Sequence, residues 1–67
     1  MKVEPNLVRK GFTEWWFKLD EKRYFVHAID GDLLVWRQDR SGDRLVADGK
    51  KNVDKFLAKF DIELLEK

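Results

Sequence analysis

Residues 24–38 read YFVHAIDGDLLVWRQ, and the fold follows from how this stretch divides. Asp30-Gly31 separates two runs rich in aromatic and β-branched residues, Tyr24 to Ile29 and Leu33 to Gln38. A type I′ turn needs positive φ at both central positions, so Asp-Gly between two such runs marks a tight β-hairpin. Ile29 then faces Asp32, and counting outward pairs Val26 with Val35 and Phe25 with Trp36. Register decides faces as well as partners, because alternate side chains of a strand point to opposite sides.

Upstream, FTEWWFKL over residues 12–19 alternates and is rich in aromatics, which predicts another strand. The charged run Asp20-Glu21-Lys22-Arg23 joins it to Tyr24. Having neither Gly nor Asn, this run is expected to form a four-residue loop that pairs Leu19 with Tyr24. Gly11 punctuates the start of the sheet. Pro5-Asn6-Leu7-Val8 reads either as a short turn of helix or as an irregular lead-in whose Leu7 and Val8 cover one end of the core. Downstream, Asp39-Arg40-Ser41-Gly42-Asp43 is a polar loop, followed by a short strand from Arg44 to Ala47 or Asp48.

After Gly49 the period changes. Val53, Phe56, Leu57, Phe60 and Leu64 recur at helical spacing with Lys55, Lys59 and Glu63 between them, the pattern of an amphipathic helix. Asn52 is the expected N-cap, and Asp54 in the first turn complements the helix dipole. Ile62 lies off the apolar stripe, which suggests an end near Phe60, with Asp61 capping a short final turn that brings Ile62 and Leu65 inward. The expected architecture is thus α+β: an antiparallel meander of three to four strands (12–19, 24–29, 33–38 and 44–48) packed on one C-terminal helix (about 52–65). It occupies a single small domain, residues 1–67.

A chain of 67 residues buries a smaller share of its surface than a larger protein does. With no cysteine, it has neither a disulfide nor a thiolate metal site to brace it. Its core therefore rests on large apolar groups, and three Trp, five Phe and one Tyr supply them. Charged residues make up 40% of the chain, yet the signs balance to a formal net charge of +1. That balance supplies none of the basic excess on which a dedicated nucleic-acid binder relies. No uncharged stretch is long enough to span a bilayer. The opening Met1-Lys2-Val3-Glu4-Pro5 lacks the apolar region of a signal peptide, so the expected location is cytoplasmic.

The register assigns Trp15, Phe17, Leu19, Tyr24, Val26, Ala28, Leu33 and Val35 to one face, the expected core beneath the helix. It gathers Trp16, Phe25, His27, Leu34 and Trp36 on the other, with Glu14, Lys18 and Gln38 around them. A one-residue slip in the first hairpin exchanges Trp15 and Phe17 for Trp16. One helix covers one face of a sheet. The second face is therefore either the remainder of the core, closed by a strongly curled sheet or by the N-terminal segment, or an interaction surface of the kind that large apolar patches mark.

Little in the sequence points to catalysis. Nucleophilic catalysis needs a nucleophile, a base and an orienting group, and the candidates are His27, Ser41 and Thr13, with no triad pattern. Asp30-Gly31-Asp32 and the run from Asp39 to Asp43 lack the spacing of a calcium loop and read as hairpin turns. Asp48-Gly49-Lys50-Lys51 lacks the spacing of a phosphate-binding loop and reads as the entry to the helix. No cofactor, metal or small-molecule substrate is expected, and no enzyme activity.

Two functions remain. In the first, the chain binds another protein, or a second copy of itself, through Trp16, Lys18, Phe25, His27, Leu34 and Trp36, since aromatic residues are favoured interface anchors. His27 is read first as a partly buried structural histidine and second as a recognition residue or pH switch. In the second, the sheet binds nucleic acid, with exposed aromatics stacking on bases and Lys18, Lys22, Arg23, Arg37 and Arg40 contacting phosphates. An obligate structural subunit of a larger assembly predicts the same apolar face.

Overall fold

The computed structural model describes residues 1–66. Strands β1 (Lys2–Val3), β2 (Pro5–Arg9), β3 (Phe12–Leu19), β4 (Lys22–Ile29), β5 (Asp32–Asp39) and β6 (Gly42–Asp48) precede helix α1 (Lys50–Lys59) and a last short strand, β7 (Glu63–Leu64). β2 to β6 form one antiparallel sheet in sequence order, and β1 pairs in parallel with β7. The helix packs on one side of the five-stranded sheet. This is the α+β meander expected from the sequence, with one more strand at its N-terminal edge.

The central hairpin has the predicted register: Ile29 pairs with Asp32, Val26 with Val35 and Phe25 with Trp36. Asp30 and Gly31 both have positive φ, at 49° and 90°. The preceding turn is tighter than predicted. Instead of a four-residue loop over Asp20 to Arg23, Asp20 and Glu21 alone make it, with φ of 49° and 68°, and Leu19 pairs with Lys22. Positive φ costs a non-glycine residue about 1–2 kcal/mol. The two extra rungs, Lys18 with Arg23 and Leu19 with Lys22, lengthen both strands in return. The shift is by two residues, a full period of the strand, so no side chain changes face.

The loop expected over Asp39 to Asp43 is likewise a two-residue turn, Arg40-Ser41, closed by Asp39 opposite Gly42. β6 therefore starts at Gly42, whose φ is 121°, rather than at Arg44. Its register shifts once, because Trp36 faces Leu45 whereas Val35 faces Ala47, leaving Val46 as a bulge. At the other edge, residues 5–8 are neither a helical turn nor a cap on the core. They belong to β2, where Pro5 faces Trp15 and Leu7 faces Thr13, and both Leu7 and Val8 are exposed. Proline at the first residue of an edge strand sacrifices no ladder bond that the sheet needs.

The helix starts and ends earlier than its periodicity suggests. Gly49, with φ of 88° and ψ of 154°, stands at the N-cap, and its carbonyl accepts from the Val53 amide at 2.9 Å. Asn52 is not the cap: it lies inside the first turn and donates from Nδ2 to the Asp48 carbonyl at 2.9 Å. Asp54 is beyond the first turn and pairs with Lys50 at 2.7 Å. At the C-terminus the Ile62 amide donates to the Leu57 carbonyl at 2.9 Å and the Asp61 amide to Ala58 at 3.2 Å, a Schellman closure with Asp61 in the left-handed region at φ 53°. Residues 61–65 are consequently not helical. The reversal carries Ile62 into the core and sends Glu63 and Leu64 out as β7, where the Leu65 amide donates to the Val3 carbonyl at 2.9 Å.

The core lies between this sheet face and the helix. Trp15, Phe17, Val26, Val35 and Ala47 from the sheet meet Val53 of α1 and Val3 and Ile62 of the terminal segments, with Leu19, Tyr24, Ala28 and Leu33 packed around them. All eight residues assigned to this face from the sequence belong to it. Phe17 and Tyr24 stack at 5.6 Å, and Tyr24 abuts Phe56 of the helix at the same distance.

Candidate functional site

Among the described residues, no helix covers the opposite face of the sheet. Strand registers arrange it in rows of directly opposed residues. The central row is Trp16, Phe25, Trp36 and Leu45, running from β3 to β6. On one side lie Glu14, His27, Leu34 and Asp48, with Asn6 opposite Glu14 at the β2 edge. On the other lie Lys18, Arg23, Gln38 and Asp43. Beyond the Glu14 row, Arg9, Phe12, Ile29 and Asp32 close that end of the face, with the Arg9 guanidinium 5.8 Å from the centre of the Phe12 ring.

Trp16 is 56% exposed and Leu45 44%, whereas Phe25, Leu34 and Trp36 between them are half-buried by one another. Trp16 meets Phe25 edge-on, the ring centres 5.7 Å apart. The Trp16–Phe25 pair is thus ordered by its own contact while the β3 and β6 ends of the row remain open to solvent. Aromatic pairs of this geometry contribute on the order of 0.5–1.5 kcal/mol beyond burial, enough to hold the rings without closing the surface.

His27 is held from two directions. Its Nε2 lies 2.8 Å from Oε2 of Glu14 directly across the β3–β4 pair, with both side chains only about one-fifth exposed. Phe12 meets the imidazole edge-on at 5.2 Å, and Phe25 lies 6.5 Å away. No hydroxyl nucleophile stands beside this pair, because Thr13 faces Ala28 on the helix-covered side and Ser41 lies in the β5–β6 turn. Among the described residues no group of three or more His, Asp or Glu side chains converges as a metal site.

The six residues singled out for partner binding, Trp16, Lys18, Phe25, His27, Leu34 and Trp36, share this face. The five assigned to phosphate contacts do not. Lys18 and Arg23 lie on the open face, Lys22 and Arg37 are in register with Leu19 and Tyr24 on the helix side, and Arg40 is in a turn. Arg37 is also engaged: Nε and one terminal nitrogen grip the two Asp39 oxygens at 2.9 and 3.1 Å, and Arg44 approaches the same carboxylate at 3.5 Å. Those hydrogen bonds raise the affinity of Arg37 for its proton and hold the Asp39 carboxyl below the usual carboxylate range.

Sequence reasoning missed Leu45 and Phe12. Leu45 joins the row because the β5–β6 turn has two residues, and the one signal for it is Gly42, whose freedom at positive φ permits the early start of β6. Phe12 was legible as part of a strand, but its contact with His27 depends on the rung that pairs it with Ile29. No helix among the described residues is long and apolar enough to cross a membrane. The chain matches no model of a known protein family, no curated protein and no solved structure.

Proposed function

We propose that this protein is a non-enzymatic binding module that docks another protein on the open face of its sheet, with Trp16 as the leading anchor. The observation that carries this reading is the aromatic row Trp16, Phe25, Trp36 and Leu45, left uncovered at both ends on a face opposite the helix. Interface hot spots are enriched in Trp, and they sit among apolar neighbours that exclude water once a partner closes over them. Phe25, Leu34 and Trp36 supply those neighbours. The Glu14–His27 pair supplies polar groups beside that row that already contact each other at 2.8 Å within the chain.

Site-specific photo-crosslinking tests the reading. A photoreactive phenylalanine analogue at position 16, in the cells that make the protein, is expected to yield a discrete protein adduct. The same group at Lys55, on the exposed side of α1, is expected to yield none. Equal yields at the two positions, or none at position 16, contradict it.

A further inference from the structure

One rung of the open face works against the fold. Lys18 and Arg23 stand directly opposite one another in the β3–β4 ladder. Among the described residues, neither is in an ion pair. Like charges directly opposite destabilise a strand pair. These two nevertheless adjoin the most exposed tryptophan, and with Trp16, Phe25 and Gln38 of the open face and Phe17 and Tyr24 of the rung between them they line a depression beside the β3–β4 turn. An apolar hollow rimmed by two unneutralised cations is complementary to an apolar group with an anion beside it.

We propose that this depression receives an apolar residue of the partner protein adjoining a carboxylate, so that the docking segment is acidic as well as apolar. The inference rests on the reading of the open face as a protein-binding surface and adds the chemistry of the partner. A nucleic acid fits less well. Its binding depends on neutralising several phosphates in succession. A strand laid across this face meets Glu14, Asp32, Asp43 and Asp48 as well as Arg9, Lys18 and Arg23. A protein segment needs only the two local cations. A second copy of the chain fits less well too, since Glu14 is held by His27 and the other three carboxylates lie at the margins of the face.

The test is a nuclear magnetic resonance titration of the full chain with N-acetylphenylalanine, which has a free carboxylate, and separately with its neutral amide. Both are expected to shift the Trp16 indole N–H and backbone amides at 16–18 and 23–25. The acid is expected to bind about three- to tenfold more tightly, the gain from one or two solvent-exposed ion pairs with Lys18 and Arg23. That advantage should shrink with added salt and vanish in the double variant Lys18→Gln, Arg23→Gln. The salt series on the unaltered chain keeps the test decisive should the variant fold poorly. Equal affinity for acid and amide overturns the charge inference and leaves the open-face reading standing. Absence of any shift at Trp16 with either compound overturns both. Tighter binding of a thymidine hexanucleotide, falling steeply with salt, overturns the inference in favour of nucleic acid. A dimer abolished by Lys18→Gln overturns it in favour of a second copy.

Discussion

Trp15 and Trp16 are consecutive in β3 and opposite in fate. Trp15 is 8% exposed and its indole N–H donates to the Leu65 carbonyl at 2.8 Å, tying the sheet to the C-terminal segment. Trp16 is 56% exposed and meets Phe25 of its own surface row edge-on. One face of the sheet is thus committed to folding. The other holds a comparable set of large side chains that the fold leaves partly open.

The first hairpin turn can be improved. Asp20 and Glu21 occupy positions that favour Asn and Gly, with φ of 49° and 68°. Glu21→Gly relieves the left-handed strain at the second position and is expected to raise stability by about 0.5–1 kcal/mol, after allowance for the greater freedom of Gly in the unfolded chain. Urea unfolding measures it. A loss of stability contradicts the two-residue turn.

Charge reversal at Lys18 separates folding from recognition. Lys18→Glu converts a like-charge rung with Arg23 into an attractive one, and is expected to raise stability by a few tenths to about 1 kcal/mol. The same change should weaken binding of N-acetylphenylalanine. A variant that is more stable and less able to bind the acid places Lys18 where it serves function at the expense of the fold. A less stable variant contradicts the assigned register.

The Arg37–Asp39 clasp predicts an acid-sensitive contribution to stability. Hydrogen bonding from Arg37 is the leading cause of the lowered Asp39 value, and the charges of Arg37, Lys22 and Arg44 add to it against the cost of burial. With the folded value below the unfolded one, the contribution is complete above the ordinary aspartate range and is lost as pH falls through the folded value. Asp39→Asn should therefore flatten the fall in stability below about pH 4 and change stability by a constant amount above about pH 5. Arg37 stays protonated throughout and adds no slope. Denaturation at a series of pH values from 2 to 7 checks this; parallel acid limbs for the two proteins contradict it.

Both faces of the sheet were legible because Asp30-Gly31 pins the central register and a misjudged turn at Asp20-Glu21 shifts the outer strand by a whole period. The turn itself was not legible, since Glu21 stands at the second central position, where Gly is the expected residue and Glu carries no signal for positive φ. β2 was hidden for a different reason: an edge strand with exposed Leu7 and Val8 has no apolar alternation to betray it. The helix end was half legible. Ile62 off the stripe announced a reversal, but β7 depends on Met1 and Val3 from the far end of the chain, a non-local pairing that no local pattern encodes. In the candidate site, the six residues at its centre followed from alternation alone. Leu45 and Phe12 followed from turn length and rung position, which alternation does not determine.

The division of labour between the two faces is tested most directly by the unfolding free energies of Trp15→Ala and Trp16→Ala, measured side by side. Removing Trp15 opens the core and leaves the Leu65 carbonyl without its donor, and is expected to cost about 3–5 kcal/mol, most or all of the stability of a domain this small. Removing Trp16 loses an edge contact with Phe25 and the burial of a little under half of the side chain, and is expected to cost about 1–2 kcal/mol, well below the Trp15 loss. Equal losses would mean that the open face is a second core and that its aromatic row exists to hold the chain together rather than to bind.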